Sequence, residues 1–325
     1  MNGFVDNVLK AVGDFGMTDG KKTVIVALSG GADSVSLLRV MCRLREQLET
    51  EVRACHLNHG LRGEESDKDA EFCAELCGKF SVPIAIKKLN VKEYQQKHES
   101  VEETARRLRY GFFDECLEKS GQSSVIAAAH TANDNAETVL LNLTRGTGLK
   151  GLCGIPPVRD RIIRPLIYCT RGEVEEYLAE LGQDYVTDKT NFSDEYSRNK
   201  IRLNVIPQLM SINPSLIEGI TRMTAGLRSD SDYLEGLSDK ALLETHRERG
   251  CDAAALYALP SPIRSRAVKK ILQNGGIEPS ALRINTAVSL LCKRSARFNP
   301  CKNKFFTIRK GICFIEEIEQ KYHRR

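Results

Sequence analysis

The chain has 325 residues, 41% of them hydrophobic and 28% charged, with a formal net charge of +5. This length fits two domains of ordinary size, and the composition is that of a soluble globular protein and not a disordered one. No apolar run nears the ~20 residues a membrane helix needs, and Asp6 and Asp14 sit where a signal peptide would be apolar. The expectation is no membrane partner and a cytoplasmic location.

Thr23 to Leu28 is an uncharged, β-branched run and reads as a buried parallel strand. Ser34 to Leu48 has helical apolar spacing, Val52 to Leu57 reads as a second strand, and Glu64 to Phe80 as a second helix with Gly78 near its end. Val82 to Ile86, Glu99 to Leu117, Ser124 to Ala129 and Asn133 to Leu143 continue the alternation as strand, helix, strand and helix. The rhythm predicts an α/β fold, a doubly wound and mostly parallel sheet whose ligands bind at the carboxyl ends of the strands. Ser29 and His130 each follow a strand and belong on that edge.

Tyr185 to Arg202 is polar and rich in turn residues, an ordered loop leading into a helix. Pro207 and Pro214 bracket a domain boundary, giving domains over 1–212 and 213–325. The second is predicted to be smaller and mainly helical α+β: helical from Pro214 to Glu248, helices from Leu256, then a hairpin of Phe305–Ile308 and Ile312–Ile315 turning at Lys310-Gly311.

Ser29-Gly30-Gly31-Ala32-Asp33-Ser34 lies between a strand and a helix. Adjacent glycines let the backbone approach a ligand, and the helix start offers unpaired N–H groups and the positive dipole end. Hydroxyls of Ser29 and Ser34 would complete a cradle for an anion such as pyrophosphate. The lysine-bearing P-loop, G-x-x-x-x-G-K-[ST], is absent. The whole S-G-G-x-D-S string resembles the PP-loop of the N-type ATP pyrophosphatase superfamily, a Rossmann-like fold. The resemblance implies ATP cleavage between the α- and β-phosphates, adenylation of a carbonyl-type oxygen, and displacement of AMP by a nucleophile.

Further strings narrow the likeness: His56-Leu57-Asn58-His59-Gly60-Leu61-Arg62; Glu102, Ala105-Arg106 and Arg109-Tyr110; Ala129-His130-Thr131-Ala132-Asn133-Asp134-Asn135-Ala136-Glu137-Thr138, on to Arg145-Gly146-Thr147-Gly148; and Asp188 to Asn191 with Arg198-Asn199-Lys200-Ile201-Arg202. Over about residues 20–210 the chain resembles tRNA(Ile)-lysidine synthetases, though Thr131 stands where many members have a second histidine. The implied substrates are ATP with Mg²⁺, L-lysine, and tRNA(Ile) with a CAU anticodon. O2 of the wobble cytidine attacks the α-phosphorus, and the lysine ε-amine then displaces AMP at C2 to form lysidine, changing decoding from Met to Ile. Related enzymes can be dimers, so a homodimer is compatible.

Asp134 and Glu137, three apart, share a helical face; they suit catalysis beside His130 and equally suit capping and dipole compensation. The likeness assigns Asp33 and Glu137, with Asp134 nearby, to holding and deprotonating lysine, whose amine has a reference pKa of ~10.4. Arg106, Arg109 and Arg202 would stabilise phosphate charge, and Arg198 would face the tRNA; each could also be a plain surface arginine. His56 and His59 are weaker candidates, and the Mg²⁺ ligands stay unassigned.

Charge is uneven: 28 basic and 31 acidic residues over 1–210, but 20 and 12 over 211–325. Between 264 and 310, twelve basic residues face one acidic residue, Glu278, a field that attracts polyanions. Lys293, Arg294, Arg297, Lys302 and Lys304 form the densest cluster and are the expected tRNA contacts. Phe298, Phe305 and Phe306 among them could stack on bases, with core packing the expected fate of at least two. The eleven cysteines show no C-x-x-C pair and read as core thiols.

Overall fold

The computed structural model describes residues 3–61, 63–187 and 197–318, in two compact units, Met1–Ala225 and Gly226–Arg325. Arg62 and the Asp188 to Asn191 string lie outside the described residues. No helix among the described residues is long and apolar enough to cross a membrane.

In the first unit the chain runs α1 (Gly3–Asp14), β1 (Thr23–Ala27), α2 (Ala32–Leu44), β2 (Glu51–Asn58), α3 (Glu64–Lys79), β3 (Ile84–Lys88), α4 (Val101–Ser120), β4 (Ser124–Ala127) and α5 (Ala132–Thr144). A short helix α6 (Leu149–Leu152), a two-by-two hairpin β5 (Val158–Arg159) and β6 (Ile162–Ile163), and α7 (Arg171–Glu180) follow. Then come α8 (Ser197–Lys200), a π turn over Ile201–Val205, α9 (Ile206–Ile212) and α10 (Leu216–Thr245), within which the boundary between units falls.

The sheet order is β3-β2-β1-β4-β6-β5, parallel throughout except for edge strand β5. Strand alternation builds both layers. Val24, Val26, Val125 and Ala127 point into a core with α1, α2, α3 and α7, including Phe4, Leu37, Leu38, Leu76 and Leu178. Ile25, Cys55, Ile126 and Ala128 face the other way, onto Phe112, Phe113, Cys116 and Leu117 of α4. The sheet is therefore doubly wound. After β1 the chain goes outward through β2 and β3, then returns to place β4 on the other side of β1. This reversal opens a crevice at the strand ends between β1 and β4.

The second unit contains β7 (His246–Arg247), β8 (Gly250–Asp252), α11 (Ala253–Ala258), α12 (Ser261–Asn274), α13 (Ala281–Leu290), β9 (Ala296–Cys301), β10 (Lys304–Arg309) and β11 (Ile312–Glu317). Its five-stranded sheet, order β7-β8-β11-β10-β9, packs Phe306, Ile308 and Cys313 against Leu256, Val268 and Leu272. The expected hairpin is present: Arg309 pairs with Ile312 across Lys310 and Gly311, both at positive φ (52° and 84°), the signature of a type I′ turn. The sheet is larger than the sequence alone suggests, because β7, β8 and β9 are short or carry charge and proline.

Candidate active site

The loop between β1 and α2 closes on Ser34. Its Oγ accepts from the amides of Ser29 (3.1 Å) and Gly30 (3.2 Å) and from Ser29 Oγ (3.1 Å), and donates to the Gly31 carbonyl (3.0 Å). Ser34 thus shapes the loop from within, while Ser29 is exposed. Gly30 has φ +93°, and a Cβ there would meet Val186 at 3.4 Å and Cys73 at 3.5 Å, so the turn needs glycine. Gly31 caps α2 with no side-chain bond, leaving the first-turn amides of the helix for an anion.

Asp33 stands in that first turn. Arg171, at the start of α7, lies 3.6 Å from Oδ2, whereas Oδ1 is buried and has no hydrogen-bond partner. Burial, opposed by Arg171 and reinforced by Asp134, raises the Asp33 pKa to about 6. Arg171 was not expected from the sequence. Its signal is the capping box at Thr170, whose hydroxyl and amide engage Glu173 and start α7 at Arg171.

Across the crevice, Thr131 and Asp134 form a reciprocal capping box at the start of α5, with the Thr131 amide donating to Asp134 Oδ2 at 2.9 Å. The capping reading of Asp134 is realised by that one oxygen. Its other oxygen, Oδ1, takes Arg198 Nη2 at 3.2 Å and Arg202 Nη2 at 3.5 Å. Glu137, 1% exposed, accepts Arg198 Nε at 2.7 Å on Oε2 and Arg202 Nε at 2.5 Å on Oε1. Arg198 and Arg202 are four residues apart and face α5 together; Arg202 lies in the π turn, a distortion frequent at functional sites. Burial works against charge at Asp134, but Arg198, the Thr131 amide and His130 together lower its pKa. Burial likewise disfavours the Arg202 cation, and Glu137 more than reverses this, so its pKa is raised.

His130 completes the edge. Burial, with Arg164, Arg198 and Arg106 adding to it against Asp134, lowers its pKa to about 4, so the ring is neutral at pH 7. Its Nδ1 is buried without a partner. His56 Nδ1 bonds the Leu28 carbonyl at 2.9 Å, and burial lowers its pKa. His59 Nε2 faces Arg109 Nη2 at 3.5 Å, and burial first, then Arg109, brings its pKa to about 4. Arg106 is exposed and donates to the Tyr110 hydroxyl at 3.2 Å. Arg164, 3% exposed and just after β6, is a further arginine near His130 that sequence reading missed, because β6 is two residues long.

In the second unit Lys293, Arg294 and Lys302 are exposed. Arg297 lies 3.7 Å over the Phe305 ring and 3.5 Å from Glu316, while Lys304 Nζ donates to the Gly275 carbonyl at 2.9 Å, closing the end of α12. Phe306 is fully buried, Phe298 packs beside it, and Phe305 lies under Arg297. Eight cysteines are buried, Cys42 and Cys301 are half-buried, and Cys292 is exposed, a departure from the expected core role. Among the described residues no three His, Cys, Asp or Glu side chains are grouped to hold a metal ion.

The PP-loop domain profile matches residues 4–209, nearly all of the first unit. The chain belongs to the PP-loop family. Within it, the chain is 43% identical over 240 residues to a tRNA(Ile)-lysidine synthase of Bacteroides thetaiotaomicron, covering 74% of this chain and 55% of that protein. A protein of the same name from Parabacteroides distasonis is 46% identical, covering 74% and 54%, and one from Clostridioides difficile 42%, covering 71% and 50%. The chain thus spans about half the length of the curated relatives it matches. Among solved structures, the U34-tRNA thiolase NcsA from Methanococcus maripaludis with its [4Fe-4S] cluster superposes with a TM-score of 0.56 at 19% identity, covering 69% of this chain and 77% of that one. At that identity the likeness is one of fold.

Proposed function

We propose that this PP-loop protein is an ATP-dependent tRNA ligase that adenylates the wobble cytidine of tRNA(Ile) bearing a CAU anticodon and exchanges AMP for lysine, forming lysidine. The names of its relatives support the substrate class. The observation that carries the chemistry is Asp33: a carboxylate in the first turn of an anion cradle, with one buried, unpartnered oxygen and a pKa near 6.

In this reading the amides at the start of α2 receive ATP phosphates. Cytidine O2 forms a bond to the α-phosphorus, the bond between the α- and β-phosphates breaks, and pyrophosphate leaves. Arg198 and Arg202 are aimed by Glu137 and Asp134 and carry the developing phosphate charge, and Arg109, beside His59, adds to it, whereas Arg106 turns onto Tyr110. The lysine amine then attacks C2 and AMP departs. The resemblance gives lysine to Asp33 and Glu137 together. Both Glu137 oxygens already accept from arginines, so we assign the ammonium and its proton to Asp33 and the placing of the arginines to Glu137. Neutral His130, with Nδ1 free, is suited to hydrogen-bond the cytidine or the lysine amine.

Mg²⁺ is bound through one or two carboxylates plus substrate phosphates, so the free Asp33 oxygen fits it as well as it fits an ammonium. When bound there it would neutralise charge on pyrophosphate. Residues 1–212 then form the catalytic domain and 213–325 the tRNA-binding domain, in a cytoplasmic enzyme that can be a homodimer. The deciding experiment is mass spectrometry of cytidine in tRNA(Ile) incubated with protein, ATP and lysine. Lysidine formation that requires both small molecules is expected; pyrophosphate release with no lysine-dependent change in the nucleoside would remove the lysine step.

A further inference from the structure

A second cluster of cations lies beyond the crevice, where α4 meets the β5–β6 hairpin. Tyr110 is its centre. Arg106, one turn earlier on α4, places its guanidinium carbon 5.1 Å from the Tyr110 ring centroid, and Arg159 of β5 lies 5.7 Å from the same centroid. Arg164, after β6, is almost wholly buried; its Nη1 donates to the Pro156 carbonyl at 2.6 Å, and its Nε is buried with no partner. A groove of about 580 Å³ opens over this layer, lined by Arg106, Arg107, Tyr110 and Arg159, with Glu103 and Asp114.

The charges there are poorly matched by the protein itself. Arg107 is neutralised by Glu99 at 2.7 Å. Among the described residues, no carboxylate comes within 4.0 Å of Arg106 or Arg164, and Arg159 has only its exposed neighbour Asp160 at 3.8 Å. Burial depresses the Arg164 pKa, Tyr110 opposes it by its charge and a side-chain hydrogen bond, and Arg159 and Arg106 add to the depression, so the arginines act on one another. Arg106 and Arg159 flank one tyrosine at the groove surface with the buried Arg164 behind it, and an anion in the groove would offset the repulsion among the three. Arginine forks match phosphate oxygens in geometry as well as charge.

We propose that this groove is a second phosphate site, which holds a backbone phosphate of the RNA strand next to the reacting nucleotide. The inference rests on the reading above that RNA is the substrate. ATP is the other source of phosphate, but its cradle follows β1, and the strand order β1-β4-β6-β5 puts Arg159 three inter-strand steps away, roughly 14 Å at ~4.8 Å per step. Arg164 and His130 follow neighbouring parallel strands, β6 and β4, so a strand whose base enters the crevice at His130 passes the groove with its next phosphate. Tyr110 serves as the plate that holds Arg106 and Arg159 in place.

The test uses the full chain, with Arg159→Ala, Arg159→Glu and Tyr110→Phe. Arg159 is on the exposed edge strand β5, so its variants keep the core intact. Binding of an anticodon stem-loop RNA is measured across a salt series, and ATP binding alongside. Arg159→Glu should weaken RNA binding about tenfold, and Arg159→Ala should flatten the plot of log affinity against log salt by about 0.7, the value for one lost contact to a single strand. ATP affinity should not change. Tyr110→Phe keeps the plate and should change RNA affinity by less than about threefold. An equal loss of ATP affinity in the Arg159 variants would give the groove to ATP and overturn the proposal. So would RNA affinity and salt slope unaltered in both Arg159 variants while the parent protein still makes lysidine. A parent protein that neither binds nor modifies RNA would overturn the functional reading itself, and this inference with it.

Discussion

The crevice between β1 and β4 and the basic strands of the second unit hold charge in opposite ways. In the crevice the charged groups are partly or wholly buried, and several atoms are left without partners: Asp33 Oδ1 and His130 Nδ1 among them. On the basic strands the cations face water, and those that touch anything are satisfied, Lys304 by carbonyls of the turn after α12 and Arg297 by Glu316 and Phe305. Buried unsatisfied polar atoms destabilise a fold, so their grouping at one strand edge marks a place kept for a ligand. Exposed charge has little effect on stability and acts over distance, which suits attraction of a polyanion more than chemistry. Substitutions in the crevice should therefore trade stability against turnover, and those on the basic strands should change affinity and salt dependence alone.

The largest effect is expected at the cradle. Asp33→Ala should lower lysidine formation by about 10³-fold, read by mass spectrometry with a folded variant, since it removes the proposed proton acceptor. Pyrophosphate release separates the two roles open to Asp33. Release that persists with trapped AMP–tRNA supports the lysine role, and joint loss places Asp33 on phosphate or Mg²⁺.

The same residue gives the next prediction, with the sign reversed for stability. The folded protein holds the Asp33 proton up to about pH 6, against 3.8 for the free side chain, so folding becomes less favourable as pH rises from about 4 to 6 and stays so above. Asp33→Asn should therefore stabilise the protein, by about 2–3 kcal/mol near pH 8 and by little near pH 4, in denaturant titrations. Loss of stability in this variant at about pH 8 would mean that ionised Asp33 is well solvated. His59 and His130 act oppositely: with pKa values brought to about 4 from 6.5, they take stability away as pH falls through that window.

Glu137→Gln tests whether the network on α5 belongs with the crevice. It removes the buried negative charge and one of the two acceptor oxygens between Arg198 and Arg202 and should cost about 2 kcal/mol of stability, seen as a lower unfolding midpoint. Turnover should fall with it, because the arginines lose their aim. In the turns flanking β9, changing Lys293, Arg294 and Lys302 to Glu should weaken tRNA binding about tenfold and flatten its salt dependence, with ATP binding and unfolding midpoint nearly unchanged. A lowered midpoint there would erase the contrast between the two regions. The smallest effects belong to the thiols. Cys292→Ser should be silent, while Cys169→Ser, in the core, should lose about 1–2 kcal/mol of stability and keep its turnover per folded molecule.

The sequence by itself determined the sheet and the cradle. The runs at β1 and β4 are short, uncharged and β-branched, and their alternate residues separate into the two cores with no long-range information needed. Two adjacent glycines before a helix specify the loop, and Lys310-Gly311 specifies the hairpin, because positive φ is a local demand. Only the tertiary structure decided which charges meet. Arg198 reaches Glu137 from 61 residues away and Arg171 reaches Asp33 across the crevice, and neither pairing leaves any periodicity in the chain. The two-residue strands β5 and β6, and with them the positions of Arg159 and Arg164, were likewise illegible, since a strand that short is held by its neighbour in the sheet and not by its own propensity. Burial completed the division: Asp33 and Glu137 look alike in sequence, yet one keeps a free oxygen and a raised pKa while the other is enclosed by two arginines, a difference that arises only when distant segments exclude water from both.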